Sequence, residues 1–175
     1  MIWITLAVSG IILLILIVAY NRLIRDKHRV FSGWSDIDVQ LKRRHDLIPK
    51  LVTAIQQYAD YEQATLSRVT ELRRQAEGLQ QASERAGVEN QLTDSLIKIY
   101  ALAEDYPELK SNQGYLELQQ QISEVERDIQ FARRYYNGAV NNINTRLETF
   151  PDLIVARLLN FKPAEYFEFM ETSKE

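Results

Sequence analysis

Apolar positions fall into two regimes along this chain. From Ile2 to Tyr20 they are nearly continuous: IWITLAVSGIILLILIVAY carries no charge. A helix over that run rises about 28 Å, close to the roughly 30 Å hydrocarbon core of a bilayer. Beyond it, apolar residues recur at alternating steps of three and four, the period of amphipathic helices. No strand-like alternation is long enough to matter.

The second regime divides into segments. Val30, Trp34, Ile37, Leu41, Ile48, Leu51, Ile55, Tyr58, Val69, Leu72 and Ala76 share one heptad frame. Arg44, Glu62 and Thr65 occupy its remaining positions and weaken it. Pro49 lies inside the frame, removes one backbone hydrogen bond and crowds the carbonyl of His45, so a kink or break is expected there. Gly78 is expected to end the segment. A second helix is predicted from Ser83 to Glu104, stopped by Asp105-Tyr106-Pro107. A third carries Tyr115, Leu118, Ile122, Val125, Ile129, Ala132, Tyr136, Ala139, Ile143, Leu147 and Phe150 at strict spacing. Ser111 or Asn112 is its expected N-cap and Pro151 its stop. A short helix over 152–159 follows.

The expected fold class is therefore all-α: an N-terminal transmembrane helix followed by an antiparallel bundle of long helices. The expected domains are an anchor over 1–21, a helical bundle over 22–160, and a tail over 161–175 that is first apolar, then acidic. The same heptads would also serve an intermolecular coiled coil, because both arrangements bury one seam. Gly and Pro are scarce, six and four in 175 residues, which agrees with long helices and few turns.

Charge sharpens the reading of the first run. No Lys or Arg precedes it, it exceeds a typical signal-peptide core, and no small-x-small cleavage site follows, so a retained anchor is expected. Ile2, Trp3, Ile11, Leu14 and Tyr20 mark it, with the two aromatic residues near its ends, where amphipathic rings prefer the interface. Arg22, Arg25, Lys27 and Arg29 come directly after it. By the positive-inside rule the bulk of the chain is expected to be cytoplasmic and the N-terminus outside. From Arg22 to Lys50 there are eight Lys or Arg against four Asp; from Leu51 onward there are thirteen against twenty acidic residues. A basic collar beside a net acidic remainder fits contact with the lipid bilayer, and it permits head-to-tail attraction between neighbours.

Candidate chemistry is sparse. There is no cysteine, hence no thiol nucleophile and no disulfide. The glycines are isolated, so no phosphate-binding loop is formed. No serine has a histidine at dyad spacing. His45 stands among Lys42, Arg43, Arg44 and Asp46, whose cations oppose a dication; a contact at a helix end or loop near Pro49 is the expected role. We therefore expect no catalytic residue, no metal, no cofactor and no enzyme, and the net acidic domain argues against nucleic acid. Phe150, Leu153, Ile154, Val155, Leu158, Leu159, Phe161, Tyr166, Phe167, Phe169 and Met170 make the C-terminal part unusually apolar. It either folds back on its own bundle or docks on another subunit or partner. Trp34, Asp36, Asp38, Arg43, Arg44, His45, Phe161, Tyr166 and Phe167 are the candidate interaction surface.

The block WSDIDVQLKRRHDLIP, Trp34 to Pro49, resembles the signature of the LemA family. Tyr106-Pro107-Glu108-Leu109-Lys110, Arg133-Arg134-Tyr135-Tyr136-Asn137 and Phe150-Pro151 followed by Phe161-Lys162-Pro163-Ala164 are similar to further blocks of it. Lys50 and Tyr166 depart slightly from the pattern. The resemblance implies a small bacterial single-pass membrane protein with an outside N-terminus, a helical cytoplasmic domain and no established activity. It also implies a place in the bacterial inner membrane and a gene that lies near membrane metalloprotease or TPM-domain genes. The expected function is a non-enzymatic membrane-anchored scaffold that self-associates as a homo-oligomer, into rings or a lattice. The alternative is a monomeric adaptor for a membrane protease or stress-response protein.

Overall fold

A computed structural model describes residues 1–59 and 62–167. Six helices account for most of them: α1 Ile2–Gln56, α2 Gln63–Gly78, α3 Ala82–Ala103, α4 Pro107–Lys110, α5 Gln113–Glu148 and α6 Asp152–Leu158. The protein is all-α; no strand occurs among the described residues. Contacts divide the chain into two compact units, Met1–Asp36 with Ala132–Tyr166, and Ile37–Phe131 with Phe167.

Helix α1 corrects the expectation at Pro49. It does not break there but continues to Gln56. Proline has no N–H, so the carbonyl four residues back, that of His45, loses its helical partner. Arg73 of α2 supplies one: its Nε donates to that carbonyl at 2.8 Å. The break comes instead between Gln56 and Gln63, and splits the heptad frame that reached Ala76. α2 does end at Gly78, and α3 and α6 lie within one residue of their expected limits. The one-turn helix α4 was not expected; Pro107 opens it from the first helical position.

The second unit combines the later part of α1 with α2, α3, α4 and the first part of α5. Ile37, Leu41, Ile48, Leu51 and Ile55 of α1 are buried with Leu66, Val69 and Leu72 of α2, Leu92, Leu96 and Ile99 of α3, and Ile122, Val125 and Ile129 of α5. Each such side chain contributes about 1.5–3 kcal/mol by leaving water. Asn112 caps α5: its Oδ1 accepts from the Tyr115 N–H at 3.0 Å, while its Nδ2 donates to the Tyr58 hydroxyl at 3.0 Å.

The first unit joins the start of α1 to the end of α5 and to α6. Ala19, Leu23, Val155 and Ala156 form a small core, with Leu147 and Phe161 packed against it. At Gly33 the helices nearly touch: a Cβ there would meet the Tyr136 Cα at 3.1 Å and the Tyr135 ring at 3.1 Å. Beside it the Trp34 and Tyr136 rings lie tilted, centroids 5.6 Å apart. α6 ends in a Schellman motif. Asn160 takes the left-handed conformation (φ 53°), Phe161 N–H donates to Ala156 O at 2.9 Å, and Asn160 N–H to Arg157 O at 3.3 Å. The chain then runs back along α5. Phe150, expected on the α5 seam, is exposed, because α5 stops at Glu148 ahead of Pro151.

Candidate functional site

Two places concentrate polar or exposed apolar side chains beyond what a bundle needs. The first is a buried ion cluster in the second unit. Arg44 sits on the apolar seam of α1, a position that packing would give to Leu or Ile, and its side chain is only 1% exposed. Its guanidinium ion-pairs with Glu89 of α3 and Glu126 of α5. It also donates to the Thr93 hydroxyl at 2.8 Å and the Glu89 carbonyl at 3.2 Å. The planar fork of Arg suits several acceptors at once, which a Lys ammonium could not match.

His45 lies beside it, buried, with Nε2 hydrogen-bonded to Glu89 Oε2 at 3.3 Å and Nδ1 3.8 Å from Glu77 Oε1. An ionised carboxylate only accepts, so Nε2 is the donor. This corrects the expectation that His45 makes a helix-end or loop contact. Burial is the largest influence on the Glu89 carboxyl and pushes it up. The hydrogen bond from His45 and the charge of Arg44 together outweigh it and hold the carboxyl below its ordinary value. Among the described residues no group of three or more His, Asp or Glu is placed to hold a metal ion. At this cluster the arginine fills the space between the carboxylates.

The second place is the membrane-proximal end of the first unit. An open groove is lined by Lys27, Val30, Phe31, Trp34, Tyr136, Ile143, Leu159, Asn160, Phe161, Lys162 and Ala164. Its outer wall is the segment after α6, held on α5 by polar contacts. Asn144 Nδ2 donates to Ala164 O at 3.0 Å, and Asn144 Oδ1 accepts from Ala164 N–H at 2.9 Å. The Tyr136 hydroxyl donates to Glu165 O at 2.8 Å. Below the groove, Arg146 bridges two buried carboxylates, Asp26 of α1 at 2.6 Å and Asp152 of α6 at 2.9 Å.

The sequence-derived candidates scatter across these places. Ile2, Trp3, Ile11, Leu14 and Tyr20 of the anchor are all exposed, as a bilayer-facing surface requires. Arg22, Arg25, Lys27 and Arg29 are exposed as well, and Arg29 pairs with Asp26. Arg44, His45 and Phe167 are buried and present no surface. Asp36 is exposed; Asp38 and Arg43 are exposed but paired, with Arg85 and Asp128. Trp34 and Phe161 line the groove, and the Tyr166 hydroxyl donates to Asn141. Residues 161–166 thus fold back on their own unit, while Phe169 and Met170 lie outside the described residues. Sequence reasoning missed Glu89, Glu126, Asp26, Arg146 and Asn144. Only Arg44, a charge on an apolar seam, gave a signal that buried partners had to exist.

Six helices without a strand among the described residues, one of them long and apolar enough to cross a membrane, define an all-α membrane protein. Residues 33–175 match the LemA family, and the chain belongs to it. Among curated relatives it is similar to protein LemA of Metamycoplasma hominis, 25% identical, over 94% of this chain and 76% of that protein. It is similar also to magnetosome protein MamQ 2 of Paramagnetospirillum magneticum, 24% identical, over 87% of this chain and 66% of that protein. Magnetosome protein MamQ of Magnetospirillum gryphiswaldense is 21% identical, over 87% and 65%. The chain spans about two thirds of the length of these magnetosome relatives. Nothing in the relatives' names denotes a catalysed reaction.

Proposed function

We propose that the protein is a non-enzymatic scaffold, held by α1 at the inner face of the cytoplasmic membrane, that self-associates there into rings or a lattice. What carries this reading is the groove beside the anchor. Phe31 is 70% exposed at its mouth, and Trp34, Leu159 and Phe161 line it. Apolar surface in the aqueous phase next to a tether is a recognition surface rather than a core. Confinement to a plane raises the local concentration of copies, so weak contacts suffice. The basic collar and the acidic remainder of the chain supply head-to-tail attraction between neighbours.

The intact protein, extracted in mild detergent and weighed by light scattering, is expected to run as an oligomer. A monomer at micromolar concentration would overturn the reading. Crosslinking in cells separates it from an adaptor role: self-crosslinks are expected, whereas a single foreign band, such as a membrane protease or stress-response protein, favours the adaptor. A chain lacking Ile2 to Tyr20 is expected to lose higher-order assembly.

A further inference from the structure

The membrane contact of this protein does not end with α1. Pro151 and Asp152 line one open, almost wholly apolar pocket together with Leu14, Ile15, Val18, Ala19 and Arg22. Leu14 precedes Tyr20 by six residues, about 9 Å along the helix axis. The turn that opens α6 therefore faces the last turns of the apolar run across that pocket. The inward face of α6 is accounted for: Val155 and Ala156 pack on Ala19 and Leu23, and the Asp152 carboxylate is paired with Arg146.

The outward face is apolar. Phe150, Ile154 and Leu158 are spaced four residues apart, on one side of α6 and the turn before it. They are 79%, 51% and 81% exposed. In water these three side chains would be an unexplained liability. They are continuous, through Pro151, with the lipid-facing surface of the anchor. Arg22 lines the pocket with Pro151, and Arg157 follows Ile154 on the same helix; both are exposed cations of the kind that anionic headgroups attract. Glu148, at the end of α5, is exposed where the polypeptide approaches this face.

We propose that α6 is an interfacial foot: Phe150, Ile154 and Leu158 insert into the acyl-chain boundary of the leaflet that α1 exits, so that the protein holds the bilayer at two places. Such insertion reaches about 5–10 Å into the boundary for an amphipathic helix. The inference rests on α1 spanning the membrane and goes beyond it.

The cysteine-free chain makes the test direct. Full-length single variants Phe150→Cys, Leu158→Cys, Leu14→Cys and Gln130→Cys are labelled with an environment-sensitive fluorophore. They are reconstituted in phosphatidylcholine–phosphatidylglycerol vesicles with and without brominated acyl chains, after circular dichroism confirms helicity. Labels at 150 and 158 are expected to lose about half their fluorescence to brominated lipid, as at 14, and the label at 130 none. Quenching at 14 with none at 150 and 158 overturns the foot and leaves the anchor standing. No quenching at 14 overturns the spanning reading and the foot with it. Labels at 150 and 158 that escape lipid, in variants that form disulfides between copies, would assign this face to self-association instead.

Discussion

Arg73 donates its Nε–H to the carbonyl of His45, the group that Pro49 deprives of its helical hydrogen bond. The carbonyl freed by the proline is thus satisfied by a side chain of a neighbouring helix. A buried carbonyl left unmatched costs about 1–3 kcal/mol. Arg73→Met is expected to lower stability by about that amount. In the Pro49→Ala background the carbonyl regains its own partner, and the same change should cost much less. Denaturant midpoints of the four proteins form the test; equal costs in both backgrounds would discard the explanation. Arg73 also pairs with Glu77 at 2.9 Å, so a small residual cost is expected.

Removing Arg44 leaves Glu89 buried without its main counter-charge. Arg44→Met is expected to destabilise by about 3–5 kcal/mol, the usual consequence of breaking a buried ion pair from one side. Arg44→Lys keeps the charge but loses the fork, and should fall between. Thermal melts of the full chain in mild detergent decide it, and a wild-type midpoint for Arg44→Met would show the cluster to be energetically idle.

The pH dependence follows from Glu89. Its carboxyl is held below the ordinary 4.5, so between 4.5 and the folded value the unfolded chain binds more protons. Stability from this group is fully present above 4.5 and drains away as pH falls through the folded value. The gap in midpoint between wild type and Glu89→Gln should therefore be wide at pH 7 and close progressively below 4.5. A gap that stays constant down to pH 3 contradicts this.

Gly33 marks a close helix approach in the first unit. Gly33→Ala places a methyl group 3.1 Å from the Tyr136 Cα, and backbone cannot swing aside as a side chain can. A loss of about 1–3 kcal/mol is expected, despite the better helix propensity of alanine. Gly87→Ala, on a helix with open space around the added carbon, should gain up to about 1 kcal/mol. Opposite signs at the two sites are the expected result.

Tyr100 carries a buried hydroxyl without a hydrogen-bond partner among the described residues, and burial pushes its pKa far up. Tyr100→Phe discards an unpaired polar atom and keeps the ring. The midpoint should stay level or rise; a fall of more than about 1 kcal/mol would mean that the hydroxyl has a partner.

Much of this fold could be read from periodicity, because buried faces and helical spacing are one fact. The α5 stripe from Tyr115 to Ile143 faces inward at nearly every expected position, and Asn112 is the cap it looked to be. What escaped was whatever depended on residues far apart in the chain. Nothing around Pro49 announces Arg73, and nothing between Gln56 and Gln63 is a glycine or proline that would mark a break. Arg44 was visible as a charge on an apolar seam, yet its acceptors, Glu89 and Glu126, look like solvated residues of other helices until those helices are packed. Asp26 and Arg146 hide for the same reason: each alone is an ordinary surface charge.

The packing of Ala19 and Leu23 on Val155 and Ala156 has a consequence for how the molecule comes into being. The segment carrying Ala19 leaves the ribosome and enters the bilayer long before residue 155 has been translated. The small core they share can close only afterwards, with α6 arriving at a helix already in place. Insertion is then an obligatory early step of folding for this unit. A chain denatured in water and refolded before meeting a membrane would encounter the two steps in the wrong order.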